Sequence, residues 1–383
     1  MGTSSLTGPA WGRGLDRSVK LLPHAAREHN RALVLQTLIT REVASRADIA
    51  RETELTRVTV SDLIAELIEA GIVAELGLST SGRPGKPATL LQVDPDARHL
   101  IGLDLSNLGE LRAATFNLAG EKLWQHTLET DVVTGEAAAG AVVDLAARAV
   151  AAVEAPLLGV GVGSPGIIDP AGTVLTAPNF GWQDYPLGDL LRAELGVPVH
   201  IANDANAAVM AASSFDSHQD DLMVINIGYG VGAGLLLDGV PRLGPRYAAG
   251  EIGHLVVGTD GGPACACGKE GCLEAWVSRP NLRRALEEAD SESARQDVLA
   301  EAGRRLGIVI APVIGALNLT EVVLSGPSKL LEGPFLESTE QAVRERLLAA
   351  VVEPFNIRTM PDSTDAVLRG AAAIVLAAEL GVS

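Results

Sequence analysis

The apolar positions of this chain keep a helical period near the start and then change to short alternating or continuous runs. Leu33, Val34, Leu38 and Ile39 fall at helical spacing and predict a first helix from His29 to about Thr40. Ser45 is placed to cap a short second helix, Arg46–Glu52, with Ile49 and Ala50 turned inward. Leu55 occupies the turn, and Thr56 caps a third helix from Arg57 to Ala70. Its apolar face is Val60, Leu63, Ile64, Leu67 and Ile68, and Gly71 ends it. Ile72–Leu78 and Thr89–Val93 then read as two strands joined by a Gly- and Pro-rich segment carrying Arg83 and Lys86. Short helices with a tight second turn, followed by a hairpin, predict a winged helix-turn-helix. Thr56, Arg57, Thr59 and Ser61 stand where such a helix meets base edges, and Arg83 and Lys86 suit a wing tip against phosphates or a minor groove. The same pattern would also build a small helical bundle for dimerisation or for binding a protein, with Arg83 and Lys86 merely solvated.

Beyond residue 98 the pattern is that of an α/β body. Leu100–Leu105, Arg112–Asn117, Leu157–Gly163, Val199–Ile201, Leu222–Ile227 and Val231–Leu237 read as strands. Helices are expected at Ala137–Val153, Ala205–Ala212, Pro280–Glu288, Gln296–Leu317, Gly333–Ala349 and Asp365–Leu380, with a short strand at Glu321–Leu324. The strand–turn–strand unit near residue 100 recurs after Asp221, which suggests two lobes, about 98–215 and 216–383, with a ligand between them. Asn203-Asp204 lies where an apolar strand gives way to a helix, so Asp204 should project into that cleft; its bland alternative is a helix cap. With Asn179, Glu251, His254 and Glu274 it supplies the paired donors and acceptors that vicinal sugar hydroxyls demand.

Composition sharpens one segment. All three cysteines fall in His254-x10-Cys265-x-Cys267-x4-Cys272, on a Gly-rich loop bracketed by Glu251 and Glu274. Three thiolates and an imidazole are the ligand set of a closed, structural zinc site. Net charge is −18, which argues against nucleic acid for the chain as a whole. The charge is uneven, however: residues 1–93 carry 11 Lys+Arg against 10 Asp+Glu, leaving 19 against 38 for the rest. Any contact with DNA would therefore be confined to the head. Residues 1–22 have no periodicity and read as a flexible arm. No secretory signal and no membrane-length apolar run are visible, and clustered thiols fit a reducing, cytoplasmic setting.

From about residue 98 onward the chain resembles the ROK family of sugar kinases and sugar-responsive repressors. The resemblance is carried by Pro178–Trp182, Asn203–Ala208, Glu251-x-Gly-His254 and Cys265-x-Cys267-Gly-x-x-Gly-Cys272-x-Glu274. With the head at 23–93 added, it looks like that family's xylose- and N-acetylglucosamine-type repressors. The resemblance implies a two-lobed, actin-like (ribonuclease-H-like) domain over 98–383. It implies sugar contacts from Asn179, Asn203, Asp204, Glu251, His254 and Glu274, and zinc held by His254, Cys265, Cys267 and Cys272. Kinases of the family carry Asp-x-Gly-Gly-Thr-Lys in a first phosphate loop. Here that stretch is Asp104-Leu-Ser-Asn-Leu-Gly109, without the paired glycines or the cation. A second loop, Gly228–Gly234, keeps its glycines but has Tyr229 where kinases have Thr, and a third is reduced to Ser325-Gly-Pro327. Asp204 is the family's general-base position, yet a sugar contact as well, so it does not decide between the activities. The expectation is a non-enzymatic, DNA-binding regulator with a sugar or sugar-phosphate effector, working as a homodimer or homotetramer on operator DNA. An ATP-dependent sugar kinase with an accessory head is the alternative, and a zinc-stabilised protein-binding module without sugar affinity is a third reading.

Overall fold

Residues 23–78, 88–107, 109–131, 134–217, 219–258, 261–349 and 355–382 are described by a computed structural model. The head begins with α1 (Pro23–Arg41), which starts earlier than its apolar spacing marks. A two-residue strand, β1 (Ala44–Ser45), leads into α2 (Arg46–Thr53). Ser45 caps α2 as a capping box, its Oγ accepting from Asp48 N and the Asp48 carboxylate accepting from Ser45 N, both at 3.2 Å. Glu54 takes a left-handed turn at φ 57°, and α3 (Arg57–Glu69) follows. β2 (Val73–Leu78) and β3 (Thr89–Val93) form the expected hairpin, and β1 adds to β3 as a third strand. The arm, residues 1–22, and the wing tip with Arg83 and Lys86 lie outside the described residues.

In the first lobe, β4 (His99–Asp104), β5 (Glu110–Asn117) and β6 (Lys122–Glu129) run as an antiparallel meander. Helix α4 (Gly135–Ala151) crosses to β7 (Leu157–Ser164), parallel to β4. A small sheet of β8 (Ile167–Ile168), β9 (Val174–Ala177) and β10 (Trp182–Tyr185) precedes α5 (Leu187–Leu195) and β11 (Val199–Asn203), which lies parallel to β7. Helix α6 (Asp204–Ala211) leaves the end of β11 without a linker. The sheet order is β11-β7-β4-β5-β6.

The second lobe repeats this plan. β12 (Leu222–Ile227), β13 (Val231–Leu237) and β14 (Val240–Pro241) form the meander. After α7 (Leu273–Val277), α8 (Arg279–Glu288) and α9 (Glu292–Leu317), β15 (Glu321–Ser325) joins parallel to β12. Then α10 (Ser328–Leu331) and α11 (Pro334–Arg344) lead to β16 (Asn356–Thr359), parallel to β15. The order β14-β13-β12-β15-β16 matches the first sheet strand for strand, so the duplicated hairpin seen in the sequence is part of a longer repeat.

The last helix, α12 (Ala366–Leu380), does not stay with the second lobe. It is apolar on nearly every face and is buried against β4, β7 and α6. Its fit depends on missing side chains: a Cβ at Gly161 of β7 would strike the Ala371 carbonyl, and one at Gly370 would strike the Ala207 carbonyl of α6. The far end of α12 completes the head. Leu376, Leu380 and Val382 belong to one apolar cluster with Leu100 and Phe116 of the first sheet and with Val34, Leu38, Ile64 and Leu67 of the head helices. His200 of β11 pairs with Glu379 at that same end, at 2.8 Å.

Candidate metal centre and ligand cleft

The cysteine loop is folded by its own backbone. Val256 bridges Cys272 and Ala264 bridges Glu270, while Leu273 N donates to Leu255 O and Glu274 N to Gly253 O, both at 2.9 Å. A sharp turn inside the loop needs Gly268, whose φ of 87° a side chain would resist. These contacts gather the ligand atoms of His254, Cys265, Cys267 and Cys272 to within 4.8 Å of one another. Cys265 Sγ lies 3.6 Å from His254 Nδ1, and Cys267 Sγ lies 3.6 Å from Cys272 Sγ. Metal–sulfur bonds of about 2.3 Å in a tetrahedron place sulfurs about 3.8 Å apart, so the donor set fits a structural zinc ion. Burial, then the neighbouring thiols, pushes the Cys272 thiol up to about 12. A divalent cation at the centre of the cluster would remove that penalty, since coordinating thiols are deprotonated outright. With Nδ1 turned to the cysteines, His254 keeps Nε2 for a second partner.

The same pairing sets Glu251 and Glu274 beside the cluster. Glu274 opens α7 and accepts from Val231 N at 3.2 Å. Glu251 is reached by water yet ringed by protein, and desolvation raises its carboxyl while His254 opposes and Glu274 adds to the shift. Across the cleft Asp204 opens α6. Desolvation, then the charge of Asp104, raises its carboxyl to about 7, and Glu251 contributes from the other lobe. Four of the expected sugar contacts (Asp204, Glu251, His254 and Glu274) therefore meet at one place.

The other two stand differently. Asn203 is the cap that Asp204 could have been: its Oδ1 accepts from Ala205 N and Asn206 N, and its Nδ2 donates to Gly166 O at 2.9 Å. Asp204 also accepts from Ala205 N, through its Oδ1 at 2.9 Å, so the two side chains share that amide. Asn179 is exposed on the turn Pro178–Phe180, held by Phe180 and Trp182 stacked at 4.3 Å. Sequence reading missed Asn226, whose Nδ2 donates to Asp204 Oδ2 at 3.3 Å from the end of β12. A lone Asn near the end of a strand carries no spacing signal.

The stretches that resemble the kinases' phosphate loops make contacts within the protein. Asp104 is buried and paired with Arg112 at 3.3 Å; Arg112 also reaches Asp365, which Lys122 holds at 2.6 Å. A side-chain guanidinium thus neutralises the acid of the first loop. Leu105 beside it is fully buried, while Leu108 lies outside the described residues. In the second loop Tyr229 is exposed with the Arg279 guanidinium 4.7 Å over its ring.

The raised Asp204 carboxyl has a measurable consequence. Its folded value stands above its ordinary 3.8, so folding favours the protonated form and the chain loses stability as pH climbs from 3.8 toward 7. If Asp204 accepts from a sugar hydroxyl, as the sequence leads one to expect, the contact draws on the carboxylate, so affinity should rise over the same range and level off above it. Calorimetry with a bound sugar should show about tenfold weaker binding at about pH 6 than at about pH 8. A flat profile would mean that this carboxylate takes no part.

In the head, Arg57 and Ser61 are exposed on α3. Thr56 Oγ1 accepts from Thr59 N at 3.1 Å and meets Thr59 Oγ1 at 2.9 Å, so both hydroxyls serve the helix cap. No helix among the described residues is long and apolar enough to cross a membrane.

Comparison with known proteins supplies the family. The ROK family model matches residues 101–378. The xylose repressor of Caldicellulosiruptor bescii is 29% identical over 382 residues, covering 91% of this chain and 95% of that protein. A crystal structure described as a ROK family transcriptional regulator, a homologue of the E. coli MLC protein, superposes with a TM-score of 0.80 at 25% identity, covering 93% of this chain and 97% of that one. A ROK family glucokinase from Streptomyces griseus, solved with glucose and AMPPNP, gives a TM-score of 0.61 at 25% identity and covers 98% of its own length but 72% of this chain.

Proposed function

The chain belongs to the ROK family, and from that premise we propose how it works: as a sugar-responsive repressor that binds operator DNA through its head and has no kinase role. One observation carries this reading. The acid of the first phosphate loop is bound to Arg112 while the sugar-facing wall of Asp204, Glu251, His254 and Glu274 is intact. Phosphoryl transfer needs backbone close to the phosphates and an unspent cation or metal site; sugar recognition needs neither. The full-length match to a xylose repressor, against a kinase that matches the body alone, supports the same choice.

In this reading zinc is held by His254, Cys265, Cys267 and Cys272, where it fixes the loop that carries or borders three of the four wall residues. A neutral sugar or a sugar phosphate would bridge Asp204 on one lobe and Glu251, His254 and Glu274 on the other, favouring a more closed arrangement. Asp204 heads α6, α6 packs on α12, and α12 completes the head's core, so closure has a packed route to the DNA-binding surface. A homodimer would present two heads to symmetric half-sites.

The test is a mobility-shift experiment on the DNA upstream of this gene at low salt, with and without a panel of sugars. Binding that a sugar alters supports the reading; no binding overturns it. An ADP-release assay over hexoses covers the kinase alternative, and an Asp204-dependent rate would decide for it. Arg57→Ala should weaken operator binding by about 1–3 kcal/mol and leave sugar binding unchanged. Equal operator affinity would remove α3 from the DNA contact.

A further inference from the structure

Val58 is the second residue of α3 and is 71% exposed, more than any other large apolar side chain of the head among the described residues. It serves no fold purpose there. The core face of the helix is Val60, Leu63, Ile64 and Leu67, and Val58 lies on the opposite line with Ser61, Asp62 and Ala65, all exposed. That outward line consists of short side chains, which allow close approach of the helix axis to a groove floor. Valine is also a poor choice for a solvated helix position, since it lowers helix propensity and exposes apolar surface. What it offers is stiffness: a β-branched side chain in a helix keeps essentially one rotamer. The backbone under it is equally fixed, by the left-handed Glu54 and the Thr56–Thr59 cap.

We propose that Val58 is a sequence-reading residue whose methyl groups pack on the C5-methyl of a thymine in the major groove, at one position of each half-site. This rests on the DNA-binding reading above. The major groove presents a single apolar feature, the thymine methyl, and the first turn of a recognition helix is the part that reaches base edges. Arg57 beside it would anchor a phosphate or a guanine, so affinity and sequence choice fall to adjacent residues.

The experiment pairs removal of the two γ-methyls of Val58 from the protein with removal of one methyl from the DNA. Full-length wild type and Val58→Ala are titrated against an operator duplex and against duplexes in which each thymine in turn is replaced by uracil, which lacks only that methyl. Wild type should lose about fourfold in affinity per half-site at one symmetric position, the worth of about one buried methyl. Val58→Ala should be weaker by a similar factor on the parent duplex and indifferent to uracil at that position. Its salt dependence should match wild type, because no phosphate contact is lost. Its melting temperature should be equal or slightly higher, because the residue is exposed and alanine is the better helix former. If wild type binds but no position shows this cancellation, the inference is wrong and the DNA-binding reading stands. A changed sedimentation coefficient with unaltered uracil sensitivity would make Val58 a contact between copies, which also overturns it. Wild type that binds no duplex overturns the DNA-binding reading itself.

Discussion

Cys267→Ser should come out of purification with almost no zinc and with its second lobe melting well below that of the wild type. Cys267 is the informative position because it is exposed, whereas Cys272 is also core and its loss would mix packing with metal binding. Structural zinc contributes about 10–16 kcal/mol of apparent binding energy in small sites. A whole domain is stable by only about 5–15 kcal/mol. Even a fraction of the zinc contribution would therefore decide whether the lobe folds. Apart from the metal, the loop is held by backbone hydrogen bonds, with few apolar side chains of its own and a string of glycines that favour the open chain. Because Glu251 and Glu274 depend on that loop, sugar-induced thermal stabilisation should vanish together with the metal. Unchanged zinc content by elemental analysis would refute the assignment.

Gly161→Val should yield little folded protein, with a loss of more than about 4 kcal/mol. The position sits at the centre of β7, where the new side chain would collide with the backbone of α12, and backbone cannot step aside as a flexible side chain can. Gly140→Ala is the matched control: it lies in α4 with open space around it and should be neutral or slightly stabilising. Chemical denaturation of the pair should separate them clearly. The Gly161 variant should also lose DNA binding, although the residue is in the ROK body, since α12 supplies part of the head's core. A melting temperature within a few degrees of wild type would show that α12 is not seated as described.

What could be read beforehand follows the range of the interactions. The head helices showed because capping and 3.6-residue periodicity are local, and Ser45 and Thr56 cap the helices they were expected to cap. The metal cluster showed because four ligands lie within a short stretch. β12 and β13 showed as apolar runs, whereas β6 was missed because it is an edge strand with mostly half-exposed residues and no clean alternation. Asp104 and Arg112 face each other across the β4–β5 hairpin, but Asp365 lies far along the chain and joins them only in the fold, so no spacing reveals the cluster. The destination of α12 was hidden for the same reason. An all-apolar helix says that it is buried, but not in which lobe. Asn203 and Asp204 could not be ranked as caps from sequence, and in the fold both accept from Ala205 N while Asn203 alone also accepts from Asn206 N.

The route of α12 also bears on how the molecule is made. The head leaves the ribosome before the body does, yet its apolar cluster includes Leu376, Leu380 and Val382, and Gly381 backs onto Ala32. The head helices can form and pack early, but Leu376, Leu380 and Val382 join their cluster only after the body has been made. During that interval the nascent head exposes apolar surface, the state most prone to chaperone capture and misassembly. Tagged at the C-terminus or shortened there by a few residues, the protein would be damaged first in the part synthesised earliest.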